Sequence, residues 1–359
     1  MQKTSHLVIA CLLLGSLAGN GAQAGSAIVG VNVYDKGFVS LAARNADIKR
    51  LADSGVQTIR IDLGTDIACI VQAFQHGIGS VVVVVPSSGS KVRAKAPRTQ
   101  VPLSEINPQQ FADWLKPVLD RLDAAGVRLT AIELGNEINT PGFNADVPTP
   151  GTGRVLGLSD LKNPNDPEGR AVADSYRAYL RILEALKELR DQTKLNNTTP
   201  IISAGLADWG LPSPRSWNKQ LGVSLPDTLA FLRQNGLDRL VDGYGVHVYP
   251  SGDRHRSIGS RIASLERYVL SECRQDTKPC WLTEWGFSNP SRSCPIDDAA
   301  RREAIEAQRS AFKQFVDQGR LAALIYSEWT GLPGKKDEAA AIFRCGGLTD
   351  AGRVALGPM

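Results

Sequence analysis

A chain of 359 residues can hold one large domain or two ordinary ones. With 42% hydrophobic and 22% charged residues it has a globular composition, which excludes a disordered chain and a bundle of membrane helices. A net charge of +4 is too mild to argue for a nucleic-acid surface.

The chain opens with Lys3, the apolar run LVIACLLLGSLAG and the small-residue triplet AQA ending at Ala24, which reads as a signal peptide over 1–24. The apolar run is too short to span a bilayer, which takes about 20 apolar residues. Secretion or export to the periplasm is therefore expected, with no membrane partner after cleavage. The remainder, 25–359, reads as one unit.

Short apolar runs then alternate with longer stretches of helical spacing. AIVGVNVY (27–34) predicts a first strand, and NADIKRLADSG a helix with Ile48, Leu51 and Ala52 on one face. VQTIRIDL (56–63) and GSVVVVVP (79–86) predict strands two and three. NPQQFADWLKPVLDRLDAAG predicts a helix kinked at Pro117. RLTAIELGNE (128–137) predicts strand four, the long segment 168–192 a regular helix, and PIISAGLA (200–207) strand five. VDGYGVHVYP (241–250), KPCWLTEWGF (278–287) and RLAALIYSEW (320–329) predict strands six to eight, with a helix over 297–319 between the last two.

Near-continuous apolar strands alternating with helices imply a parallel sheet with right-handed crossovers. Eight such units in one chain predict an α/β fold, the (β/α)8 TIM barrel. An open doubly wound sheet would want a glycine-rich phosphate turn after strand one, where NVYDKGF stands instead. The long connections, 87–106, 138–169, 207–224 and 330–347, all follow strands. In a barrel those loops surround the C-terminal mouth, where active sites sit.

Export permits disulfides. Signal cleavage removes Cys11 and leaves Cys69, Cys273, Cys280, Cys294 and Cys345, an odd number. CRQDTKPC can close a small loop between Cys273 and Cys280, and Cys294 can then pair with Cys345, leaving Cys69 as a buried thiol. No two cysteines have zinc-like spacing, and neither a metal nor a cofactor is expected.

Polar residues gather where the strands end: Arg60 on strand two, Asn136 and Glu137 on strand four, His247 and Tyr249 on strand six, Glu284 on strand seven and Trp329 on strand eight. Strands four and seven lie on opposite sides of a barrel mouth, so Glu137 and Glu284 can face each other across a cleft. Glycosidic bond cleavage requires such a pair, one carboxyl protonating the leaving oxygen and the other attacking or activating water. Each residue also has a plain structural reading. Glu137 can cap the segment after it, Glu284 can pair with Arg60, and His247 and Trp329 can be core. Glu133 shares strand parity with Glu137 and is expected to point inward beneath it as support.

Together GNE after strand four, TEWGF after strand seven, RID, HVYP and EW resemble clan A of the glycoside hydrolases over the whole mature chain. The resemblance implies that Glu137 is the general acid/base and Glu284 the nucleophile of a retaining double displacement. It implies that Asn136 holds a sugar 2-hydroxyl, that Arg60 and Tyr249 bond the nucleophile, that His247 lines the subsite beside the cleaved bond, and that Trp329 is the sugar's floor. Family five usually has a histidine after strand three, where PSSG stands here. Family thirty-nine or another relative is therefore open.

Tyr34, Trp209, Trp217 and Trp285 are further aromatics, and rings of this kind stack on sugar faces. Several would suit an endo-acting enzyme on a polysaccharide. The basic Lys91, Arg93, Lys95, Arg98, Arg254 and Arg256 would suit acidic sugars. An exo-acting glycosidase or transglycosylase on oligosaccharides, a non-catalytic sugar-binding barrel, and another barrel enzyme such as a lyase or metal-dependent hydrolase are the alternatives. The last has few ligands to draw on among four histidines, one of them His6 in the signal segment. A monomer is expected.

Overall fold

The computed structural model describes residues 26–33, 41–64, 67–86, 102–207, 221–249, 263, 266, 270–274, 276–291, 293–331 and 336–359. The expected signal peptide, Tyr34, Trp209, Trp217 and the basic residues at 91–98, 254 and 256 lie outside them.

Eight parallel strands form the (β/α)8 barrel: β1 (Ile28–Asn32), β2 (Thr58–Asp62), β3 (Gly79–Val84), β4 (Ala131–Leu134), β5 (Ile201–Ile202), β6 (Tyr244–Val248), β7 (Cys280–Trp285) and β8 (Leu321–Tyr326). Each strand pairs with its sequence neighbour, and β1 also pairs with β8. Between β5 and β6 the ring closes through single bridges, with Ser203 N donating to Gly243 O (3.1 Å) and Leu206 N to Gly245 O (3.0 Å). Around the ring lie α1 (Leu41–Asp53), α2 (Ala68–Gln75), α3 (Pro108–Ala124), α4 (Leu158–Lys162), α5 (Pro167–Gln192), α6 (Leu225–Gln234), α7 (Ala299–Asp317) and α8 (Asp350–Leu356).

The local chemistry accounts for these elements. Asn107 caps α3 by accepting from Gln109 N and Gln110 N, and Asp166 caps α5 in the same way. Both helices carry proline in their first turn, where the missing N–H costs nothing. The helix α3 runs through Pro117 as one element.

Strand periodicity divides the apolar residues into two layers. One side chain set packs outward against the helices. The other, Val81, Ala131, Ile202, Trp281, Ala323 and Ile325, forms a small separate cluster inside the barrel. This cluster is an apolar plug in the barrel interior, with Ala131 and Trp281 at the starts of their strands, and it stands apart from the polar side chains of the mouth.

Two departures from the regular alternation matter for the mouth. β4 ends at Leu134, short of the expected 137, because Gly135 takes a left-handed φ of +80°. In β7, Leu282 and Glu284 face the consecutive residues Val246 and His247 of β6, so Thr283 is an extra residue. On the other side Leu282 and Trp285 face Leu324 and Tyr326 of β8, which spans the same bulge. Such a bulge resets which face each later side chain meets.

The pairs Cys273–Cys280 and Cys294–Cys345 are formed, and Cys69 is buried and outside both disulfides. The first brackets the entry to β7. The second ties the segment after β7 to the hairpin of Phe343–Arg344 and Gly347–Leu348. Among the described residues no helix is long and apolar enough to cross a membrane.

Chain-entropy arithmetic gives about 4 kcal/mol for the disulfide spanning 51 residues and about 2 kcal/mol for the one spanning 7. Urea unfolding of Cys294→Ser/Cys345→Ser is therefore expected to show the larger loss of stability than Cys273→Ser/Cys280→Ser. The reverse order would mean that local packing, not loop closure, sets their worth.

Candidate active site

Above the apolar plug lies Arg60, in the middle of β2 and 4% exposed. A buried guanidinium must place its donors, and Arg60 places five. Nε and Nη2 donate to Glu133 Oε2 and Oε1 (2.7 and 3.0 Å), and Nη2 also donates to Asn136 Oδ1 (2.8 Å). Nη1 donates to Asn32 Oδ1 (2.9 Å) and Glu284 Oε1 (2.8 Å). Burying the ions is costly, and this forked geometry is what offsets the cost.

Glu133 is fully buried, and its Oε1 also accepts from Gly205 N (2.9 Å) and Thr283 Oγ1 (3.1 Å). Asn32 is oriented in turn by donating to Thr283 O (3.0 Å). Five strands thus meet around one cation. Asn32, Gly205 and Thr283 did not stand out as site residues in the sequence. The signal available was a polar residue inside an apolar strand run, as in VNVY and LTEW.

The upper tier holds the carboxylates. Glu284 receives Arg60 on Oε1 and the Tyr249 hydroxyl on Oε2 (2.6 Å). Burial pushes its pKa up, but the neighbouring His247, the Arg60 charge and the bonds from Tyr249 and Arg60 outweigh burial and hold it below the usual carboxylate range. Glu137, on the opposite side, has a side chain 21% exposed. It occupies a left-handed φ of +41°, uncommon for a residue with a Cβ. Glu137 N donates to Gly205 O (2.8 Å), and Glu137 O accepts from Thr140 N (2.9 Å) and Thr140 Oγ1 (3.1 Å). These bonds fix the strained turn, a cost that structures tend to retain at functional sites.

His247 lies between the two carboxylates. Its Nδ1 is 3.0 Å from Glu137 Oε1 and 3.7 Å from Glu284 Oε2. Burial disfavours the imidazolium, but the charge of Glu284 and the hydrogen bond and charge of Glu137 raise its pKa above the ordinary value. With 0% exposure the ring does not face open cleft, as a subsite wall would. It touches the carboxylates from beneath.

Six of the sequence-derived residues, Arg60, Asn136, Glu137, His247, Tyr249 and Glu284, are therefore joined in one group by hydrogen bonds and, between His247 and Glu284, by an ionic contact at 3.7 Å. Trp285 is not among them. The bulge at Thr283 turns Glu284 inward and sends Trp285 outward, where it is buried edge-on against Phe312 (5.4 Å) and Tyr326 (5.1 Å). It is core rather than a sugar platform. Trp329 is 1% exposed, packs on Phe343 (4.7 Å), and donates its backbone N–H to Asn32 O (2.9 Å) beside the site.

One oxygen each from Glu137 and Glu284 and one nitrogen of His247 lie within 4.8 Å of one another, which is also the geometry of a divalent-cation site. Two carboxylates so close, one with its charged form favoured by its donors and one with a partly exposed side chain, also suit acid/base and nucleophilic chemistry.

Glu133→Gln keeps the volume of the side chain but removes the charge facing Arg60. Breaking a buried pair on one side costs about 3 kcal/mol. Urea unfolding is expected to show a loss of that size, and a loss under about 1 kcal/mol would mean that Arg60 finds other partners.

No protein-family profile and no curated protein matches the sequence. Solved structures do match in fold. A fungal β-1,4-galactanase is similar with a TM-score of 0.53 at 16% identity over 85% of this chain and 89% of its own. A family 39 glycoside hydrolase of the gut symbiont Bacteroides cellulosilyticus WH2 has a TM-score of 0.56 at 14% identity, over 91% of this chain and 62% of its own. The hyperthermostable endo-1,4-β-D-mannanase of Thermotoga petrophila RKU-1 has a TM-score of 0.53 at 13% identity, over 92% and 98%. At these identities the likeness shows the fold alone, a (β/α)8 barrel similar to those of glycoside hydrolases.

Proposed function

We propose that the protein is a retaining glycoside hydrolase of clan A type that cleaves β-glycosidic bonds. The observation that carries this reading is the pair Glu137 and Glu284, facing each other at the barrel mouth with oxygens within 4.8 Å. Carboxyls about 5–5.5 Å apart accompany retention, whereas inversion needs room for a water at about 6.5–9.5 Å.

Glu284 is the nucleophile. Arg60 and Tyr249 keep it ionised and fix its two oxygens, so little reorganisation accompanies attack on the anomeric carbon. Glu137 is the acid that protonates the leaving oxygen. It then takes a proton from the water that opens the glycosyl ester. His247 occupies Glu137 Oε1 and leaves Oε2 for the substrate. Because Asn136 Oδ1 accepts from Arg60, its amide N–H groups are left to donate to a sugar hydroxyl.

The finer reading is a secreted or periplasmic, endo-acting enzyme on a polysaccharide with acidic sugars. It rests on the signal-like segment 1–24, two disulfides, and the aromatic and basic residues in the long segments after the strands. Turnover of a panel of neutral and uronate-containing β-linked polymers, with product sizing, tests it. Equal rates on both classes at low and high salt would remove the acidic preference.

Two kinetic outcomes follow from the roles. Glu137→Ala is expected to slow hydrolysis about 10²–10⁴-fold, with azide restoring turnover and giving the retained glycosyl azide. Azide should rescue Glu284→Ala with the inverted product. Activity surviving removal of both carboxylates would exclude this mechanism. Tyr249→Phe removes a donor to the ionised nucleophile, so the Glu284 pKa rises and the acid limb of kcat/KM moves to higher pH. An unmoved limb would mean that Glu284 does not govern it.

A further inference from the structure

We infer that Gly205, just after β5, is a positioning residue for both catalytic carboxylates, an inference that rests on the glycosidase reading for its kinetic consequence. Its main chain already serves two of the groups described above. Gly205 N donates to Glu133 Oε1 (2.9 Å), the counter-ion of Arg60, and Gly205 O accepts from Glu137 N (2.8 Å). Its missing side chain serves the third. A Cβ at this position would stand 2.0 Å from His247 Nε2, 2.6 Å from His247 Cδ2 and 2.6 Å from Thr283 Oγ1.

Backbone conformation does not require a glycine here. Gly205 is not among the positive-φ glycines, so an alanine could adopt its φ. Space requires it. The imidazole fills the slot that a methyl group would take. This slot has particular weight because His247 Nε2 has no hydrogen-bond partner among the described residues. Among the described residues the ring is anchored by polar contact through Nδ1, on the carboxylates, and the aim of Nδ1 is set by the fit of the opposite edge against Gly205. A side chain at 205 would displace the ring, withdraw Nδ1 from Glu137 Oε1, and press on the Thr283 hydroxyl that supports Glu133.

A thermodynamic cycle tests this directly, since residues in contact couple and separate ones add. Gly205→Ala is made in the unaltered chain and in His247→Ala. Gly30→Ala serves as the crowded-glycine control. Its Cβ would meet Thr58 O at 2.5 Å and Ile325 Cδ1 at 2.9 Å, away from His247. The fall in Tm caused by Gly205→Ala is expected to be at least twice as large with His247 present as without it. The remainder comes from Thr283. The fall caused by Gly30→Ala should be the same in both backgrounds. The pH profile of kcat/KM of Gly205→Ala should overlay that of His247→Ala.

Equal Tm losses in the two backgrounds, or a pH profile matching the unaltered enzyme, would overturn the inference. If Gly205→Ala alone does not fold, recovery of folding in the double variant supports the inference and failure to recover overturns it. The stability arm needs no substrate. A failure of the glycosidase reading would appear instead as no turnover by the unaltered protein.

Discussion

The forked ion pair between Arg60 and Glu133 is the contact on which the mouth of the barrel depends. A guanidinium inside a barrel is tolerable only if its donors are placed, and Glu133 takes two of them from below. That fixes the plane of the fork, and the plane decides where the remaining N–H groups point. They reach Asn32 on β1, Asn136 after β4 and Glu284 on β7. Glu133 is itself held by β7 through Thr283 and by the β5 segment through Gly205. An apolar core would pack the barrel more cheaply, but it could not transmit a side-chain orientation across the ring.

The two carboxylates above this pair differ in what surrounds them. Glu284 is sunk among Arg60, Tyr249 and His247, which favour its charge. Glu137 has one oxygen on His247 and a side chain partly open to solvent. In the proposed mechanism, environment rather than residue type divides the labour. Two irregularities of the backbone make the division possible. The left-handed Gly135 ends β4 and lets the chain turn Glu137 over the mouth, and the bulge at Thr283 brings successive residues of β7 to the interior.

Much of this could be read from the amino acids. The eight apolar runs gave the barrel because strands buried on both faces leave a simple signature. Glu137 and Glu284 were visible because a charged residue closing a buried run has few cheap explanations. Arg60 was visible for the same reason, although it sits in the middle of its strand rather than at the end. Trp285 was misplaced because it was grouped with the aromatics of the long loops, whereas it is the last residue of β7 and, following the inward Glu284, turns out into the core. Glu133 was seen only as support, since a single sequence does not say which buried carboxylate takes the fork of Arg60. Gly205 carried no signal, because the need for a missing side chain exists only where another strand's ring approaches.

As the proposed nucleophile, Glu284 becomes covalently attached to the sugar. A 2-deoxy-2-fluoro glycoside with an activated leaving group, matched to the sugar released from the natural substrate, should trap that ester. Intact-mass measurement and peptide mapping of the treated protein are expected to give one added glycosyl group, on the peptide that contains Glu284. Turnover of the probe without a trapped adduct, or a label on Glu137, would contradict the assignment.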